Sequence, residues 1–301
     1  GVQTCALPIL NDRDRFPMSR PEGSVTAALL SRTEELSGLI APLVEAVMEL
    51  GAHGQVEDEP IAAQIVSALA REGFADVTEE HLGAYGRLRK FPALCVLVAG
   101  SLGATATRNH QMLAAFADAP RVRAFHETVP VTSVLSPWDP FGPSWEVAQF
   151  INAAQGGGEV TDEILARYDA SQVYRSEAAS ASAIVSRVLE PAGHRFVIGA
   201  PEYDELFEQT EVLIGALVNH RLLSLGQTSH GTVENWIGSH TRAARRRQGS
   251  KVPEELLEDL EANHENWWPL RGGTLFGGDY RAAMYCMADY IEMVEKARSG
   301  N

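Results

Sequence analysis

Four arginines crowd six positions of this chain: Arg242, Arg245, Arg246 and Arg247. On a helix beginning near Asn235 they would form a basic end able to grip phosphate or a partner's carboxylates. The same run also suits a solvated helix terminus, where arginine complements the negative end of the helix dipole. No aromatic side chains interleave with it, as stacking on bases would require. The nine histidines are scattered, with no HExxH, paired CxxC, GxSxG or GxxxxGK[ST] pattern. His220, His230 and His240 fall ten apart, which puts no two on one helical turn as metal ligation from a single helix needs. No catalytic residue, cofactor or metal site is therefore expected.

Two other places invite chemistry. The stretch Trp267-Trp268-Pro269-Leu270-Arg271-Gly272-Gly273-Thr274-Leu275-Phe276-Gly277-Gly278-Asp279 combines glycines, free to take angles other residues avoid, with large apolar surfaces. A glycine-rich loop entering a helix can hold an anion, but Asp279 would repel phosphate there and is placed to cap the next helix. We read Trp267, Trp268, Phe276 and Asp279 as a structural plug. Glu211, within the apolar register of a long helix, and Glu177 are the carboxylates expected to be part-buried. Buried acids mostly have a structural partner. An enzyme would build its pocket near Glu211, Trp236, Arg271 and Asp279.

Composition limits the partners. With 40 acidic against 25 basic residues the net charge is −15, which repels phosphate backbones and anionic lipid. Cys95 and Cys286 sit far apart in apolar, helix-like stretches and read as small core side chains in a reducing compartment. The most apolar stretch, Ala93 to Ala106, has 14 residues, short of the roughly 20 that cross a bilayer. Cytoplasmic residence with no membrane contact follows as the expectation. Gly1 to Ile9 (GVQTCALPI) resembles one reading frame of a sequencing-adapter oligonucleotide, so 1–20 is expected to be an artefactual or disordered leader. Met18 offers an alternative start.

The elements that must position these residues are helices. From Val25, apolar residues recur at helical spacing to Leu50; Gly51 is expected to stop the run and Pro42 to divide or kink it. Pro60 opens a second helix ending near Gly73, and Thr78 with Glu80 and His81 opens a third. Its continuation from Ala93 to Ala104 is apolar on nearly every side and must lie within the core, with Ala99 and Gly103 admitting a close neighbour. Prolines at 120, 130, 137, 140 and 143 exclude a helix and mark a connector. Further helices are expected over Ser144 to Ala154, from Thr161, over Ser171 to Leu189, from Pro201 as a long amphipathic stripe, and over Pro253 to Ala262 and Tyr280 to Ala297. Phe196 to Ile198 is too brief to establish a strand. The fold class is mainly α: an irregular multi-helix bundle or array with little or no β-sheet. A helical subdomain over 21–119, the Pro-rich connector 120–143 and a second subdomain over 144–298 are expected.

Phe91-Pro92-Ala93-Leu94 leading into Ala99-Gly100-Ser101-Leu102-Gly103-Ala104, Tyr203-Asp204-Glu205-Leu206-Phe207 with Glu211, and Trp268-Pro269-Leu270 with Leu275-Phe276-Gly277-Gly278-Asp279 together resemble a helical C-terminal region of bacterial, often actinobacterial, multidomain proteins. The resemblance covers most of Leu36 to Ala297, and its motifs concern packing. It implies an appendage behind a separate effector or nucleotide-handling domain, in architectures some of which are suspected of phage defence. The expected function is a non-catalytic accessory, sensing or protein-interaction module whose partner is a protein, an upstream effector domain in cis or a partner chain. Nucleic-acid contact through Arg242 to Arg247 is one alternative, and an enzyme with a pocket near Glu211 and Asp279 is the other.

Overall fold

The computed structural model describes residues 25–74, 84–124, 127–137, 139–141, 170–197, 200–226, 233, 236 and 251–299; for 25–27, 30, 84–85, 170–180, 200–201 and 297–299 it describes the backbone alone. The helices expected at Thr78, over Ser144 to Ala154 and from Thr161 lie outside the described residues. The fold class is mainly α, with one small antiparallel sheet.

Helix α1 runs unbroken over Val25–His53, with Pro42 inside it, so the expected division does not occur. A proline interrupts a helix by losing its own donor and by clashing with the carbonyl four residues earlier. Here that earlier residue is Gly38, and Pro42 itself is exposed, which leaves the freed carbonyl within reach of water. Gly51 does not stop α1 either. It marks the place where α1 crosses another helix.

That partner is α3, Phe91–Ala106, which follows α2, Glu59–Phe74. Pro92 sits in the first turn of α3, where its missing donor is harmless. Every residue from Phe91 to Thr105 is buried, as expected of a helix apolar on all sides. A Cβ on Gly51 would lie 2.0 Å from the Gly100 carbonyl oxygen, and one on Gly103 would lie 2.0 Å from the Met48 oxygen. Gly103 thus admits the neighbour, as expected, with Gly51 opposite it, while the bare face of Gly100 admits the Phe116 ring, which a Cβ there would meet at 2.4 Å. The C-terminal ends of the two helices come together. The Thr107 hydroxyl donates to the Ala52 oxygen at 2.9 Å and the Asn109 amide donates to the Gly54 oxygen at 2.9 Å, satisfying carbonyls at the end of α1.

With the preceding turn of Leu88–Lys90, the apolar stretch reaches 19 residues, Leu88–Ala106, long and apolar enough to cross a membrane. This corrects the count of 14 made from Ala93 onward. Ser31–His53 passes the same test by length and composition. In the fold, 94 % of the Leu88–Ala106 window lies inside the protein, the position of a core helix.

After α3 the chain makes a turn at His110–Leu113, a wider π-type turn at Ala114–Asp118 and a hairpin of β1, Arg121–Ala124, and β2, Glu127–Pro130, with Val122 opposite Val129. Then come α4, Ala170–Gly193, and α5, Ala200–Ser224. Phe196 and Val197 form a turn and bend. The sequence reads α5 as amphipathic, yet every residue from Thr210 to Asn219 is buried. Its Thr210, Glu211 and Asn219 are polar residues enclosed by packing. Helices α6, Val252–Asn263, and α7, Tyr280–Ser299, complete the described fold. The α5–α7 contact is close: a Cβ on Gly215 would fall 2.3 Å from the Tyr290 ring. The buried apolar side chains form one contiguous cluster drawn from α1 to α7, and Val122, Val131, Leu135 and Phe141 join it from within 120–143.

Candidate functional site

Glu211 is fully buried and takes a hydrogen bond from the Ser182 hydroxyl of α4 at 2.5 Å. Trp236 is fully buried too; its ring N–H donates to the Thr132 oxygen at 3.4 Å, and its own carbonyl accepts from the Tyr290 hydroxyl at 3.2 Å. Arg271 is exposed and donates from Nε to the Asn266 oxygen at 3.3 Å. Asp279 caps α7, its Oδ1 accepting from the backbone N–H groups of Arg281 and Ala282 at 2.8 and 3.4 Å. Helices α5 and α7 run antiparallel, since Gly215 meets Tyr290 while Asn219 donates to Asp289 and to the Cys286 oxygen. Glu211 and Asp279 therefore sit towards opposite ends of that contact, about 22 Å apart along the axis at 1.5 Å per residue. The four do not converge. Arg242, Arg245, Arg246 and Arg247 lie outside the described residues, as does the side chain of Glu177.

The Trp267 to Asp279 segment wraps the beginning of α7. Trp267, Trp268 and Phe276 are buried, and the Trp267 ring N–H donates to Asp259 of α6 at 3.0 Å. Trp267 and Phe276 rings lie 6.2 Å apart. Phe276 holds φ of 52°, a left-handed angle costly for a side chain of this size. Gly272 has φ of 75°, and a Cβ there would lie 2.7 Å from Nε2 of His110. Burial, with Arg271 adding, lowers the His110 pKa below the ordinary imidazole value, against an opposing pull from Glu59.

A different grouping, which sequence spacing does not suggest, lies where α5 ends against the turn Ala114–Asp118. Asp118 closes that turn, Arg121 begins β1, and His220 and Arg221 stand in the last turns of α5; all four are half-buried. Phe276 supplies a wall, its ring 5.6 Å from that of His220 at 62°. Burial lowers the His220 pKa; Arg221 pushes the same way, while Asp118 and Asp279 oppose it. Arg121 is lowered by burial and by Arg221, with Asp118 opposing. One Arg121 nitrogen, Nη1, donates to the carbonyl oxygens of Asp118 and Pro120. Arg221 has its Nε buried with no hydrogen-bond partner. Leaving such a donor unsatisfied costs about 1–3 kcal/mol. Among the described residues no hydrogen bond from one side chain to another joins Asp118, His220 and the two guanidinium groups.

A second charged pair is closed off. Lys90, at the entrance to α3, is buried with its ammonium 4.1 Å from the centre of the Phe74 ring. Desolvation lowers its pKa, partly offset by Asp139. Asp139 accepts from the backbone N–H and the hydroxyl of Ser136 at 2.8 and 2.5 Å. Its pKa is raised by desolvation, against opposing pulls from Lys90, Ser136 and Arg87.

Both cysteines are buried; burial pushes the Cys95 thiol far up, and burial with Asp289 pushes Cys286 up to about 12. Among the described residues no group of three His, Cys, Asp or Glu is arranged to hold a metal ion. Neither a family model, nor a curated protein, nor a solved structure matches this chain.

Proposed function

We propose that this chain is a helical accessory or sensing module that acts by protein contact within a bacterial cytoplasmic system, in the manner implied by its resemblance to helical C-terminal regions of bacterial multidomain proteins, some of them suspected of phage defence. The observation that carries this reading is where its chemically capable side chains have gone. Glu211 is bonded to Ser182 in the core, Asp279 to the start of α7, Asp259 to Trp267 and Asp139 to Ser136. Each holds an element in place. At the other extreme, Val56 and Ile61 stand exposed at the start of α2, on either side of Glu57, Asp58 and Glu59, apolar side chains open to a partner.

The test is to recover the genomic DNA around this reading frame and express what is encoded contiguously or next to it. Association with the chain is then measured by interferometry. The expected result is binding in cis or in trans with Kd below about 10 µM, roughly −7 kcal/mol. No association with any of these products overturns the reading.

A further inference from the structure

We propose that the end of α5, between Arg121, His220 and Arg221, is a binding site for a small ligand bearing a doubly charged oxyanion group, phosphate or dicarboxylate. The inference is independent of the protein-contact reading. Arg121 and Arg221, from different elements, lie close enough to act on one another where α5 packs on the turn Ala114–Asp118, on a chain whose net charge is −15. Arg121 is pinned through Nη1 to the Asp118 and Pro120 carbonyl oxygens, which fixes its position and leaves its other donors uncommitted among the described residues. Arg221 carries a buried Nε with no acceptor, and an oxyanion oxygen is the acceptor that geometry calls for. The imidazole of His220, held edge-on by Phe276, adds a third donor.

Asp118 is the counterweight. It lies close enough to influence both His220 and Arg121, so it offsets the cations when the site is empty and opposes the ligand when it is full. The second carboxylate near His220, Asp279, is already engaged by the N–H groups of α7. An incoming anion would favour the protonated imidazole, which Asp118, Asp279 and Arg221 act on and which stands against the Phe276 ring. Affinity should therefore rise as pH falls below the ordinary imidazole value of 6.5, towards the lowered value of His220.

The experiment is calorimetric titration of the full chain with pyrophosphate and, separately, with succinate, in low-salt buffer free of multivalent anions. The expected result is a Kd of about 1 mM or tighter for at least one probe, and the probe that binds names the source. Binding should weaken at least about tenfold in Arg221→Ala and in Arg121→Ala, and tighten several-fold in Asp118→Asn. Arg221→Lys, keeping charge and fold but losing the forked donor, should also weaken it. No binding of either probe, or equal binding by Arg221→Ala, overturns the proposal. So does binding that Asp118→Asn leaves unchanged.

Discussion

Where α1 crosses α3, backbone meets backbone with no room for a side chain; where α5 ends beside Asp118, charged groups meet half-buried with no hydrogen bond from one side chain to another among the described residues. Between these extremes stands the Lys90–Asp139 region, whose charges are also inside, but where Ser136 and the Phe74 ring receive them. All three lie within the packing of one helix, α3, and its neighbours. The difference teaches what each region is able to do. A crossing at which a methyl group would fall 2.0 Å from a carbonyl oxygen can only hold, whereas donors without acceptors have something to gain from a ligand.

The largest effect should come from breaking the crossing. Gly51→Ala or Gly103→Ala forces two backbones apart, and overpacking of this kind should cost at least about 3 kcal/mol. Gly38→Ala lies in the same helix α1 with nothing within 4 Å of the added Cβ. It should stabilise by about 0.5–1 kcal/mol, because alanine suits a helix interior and glycine does not. Urea unfolding midpoints of the three variants check the contrast. Equal midpoints for Gly51→Ala and Gly38→Ala would mean the crossing has slack.

How much of this was legible in the sequence depends on the element. The helical class, the all-round burial of Phe91–Ala106 and the extents of Glu59–Phe74 and Tyr280–Ser299 follow from periodicity, since one apolar face needs only one neighbour. Gly51 was misread as a stop because a glycine at a helix end and a glycine at a helix crossing look alike until the partner helix is known. Pro42 does not divide α1, because at an exposed position of a long helix the lost hydrogen bond leaves its carbonyl partner within reach of water. The stripe expected on α5 gave way to burial on all sides because α3, α4, α6 and α7 all pack on it. The Asp118, Arg121, His220 and Arg221 grouping was invisible for a related reason. Its members lie about a hundred positions apart and are joined only by the packing of α5 on the turn Ala114–Asp118.

Disturbing the closed charge pair should cost less than breaking the crossing. Asp139→Ala removes both hydrogen bonds to Ser136 and leaves Lys90 buried without its nearest opposing charge, which should cost about 2 kcal/mol. Lys90→Met alone removes a desolvated cation and fills its space. If the two are coupled, the double variant should be more stable than the sum of the single losses predicts. Strict additivity in thermal unfolding would show that Asp139 serves only the Ser136 turn.

A pH titration of stability separates the regions further, with a smaller expected effect. His110 and His220 are both held below 6.5, so the unfolded chain takes up protons that the folded chain refuses. The stability they contribute is full above that value and is lost as pH falls through it towards their folded values. Asp139 acts with the opposite sign. Its carboxyl is held above 3.8, so the fold gains stability as pH falls through its raised value towards that limit. The expected profile is a Tm that declines as pH drops below about 6.5, in a way that His110→Gln with His220→Gln flattens and Asp139→Asn does not. A decline unaltered by the histidine pair would place its origin elsewhere.

The smallest effect is the one that tests the comparison most directly. If Arg221 were part of the architecture, as Lys90 is, its removal would destabilise the chain. It is half-buried, its Nε has no acceptor, and it faces Arg121 across the end of α5. Arg221→Ala deletes both an unsatisfied donor and a like-charge repulsion, at the expense of apolar packing by the side-chain stem. These oppose one another, so unfolding stability should stay within about 0.5 kcal/mol of the parent. A loss as large as that for Asp139→Ala would make the grouping a second structural charge cluster. A near-zero change, paired with lost oxyanion binding, is the signature of a side chain kept for what it holds.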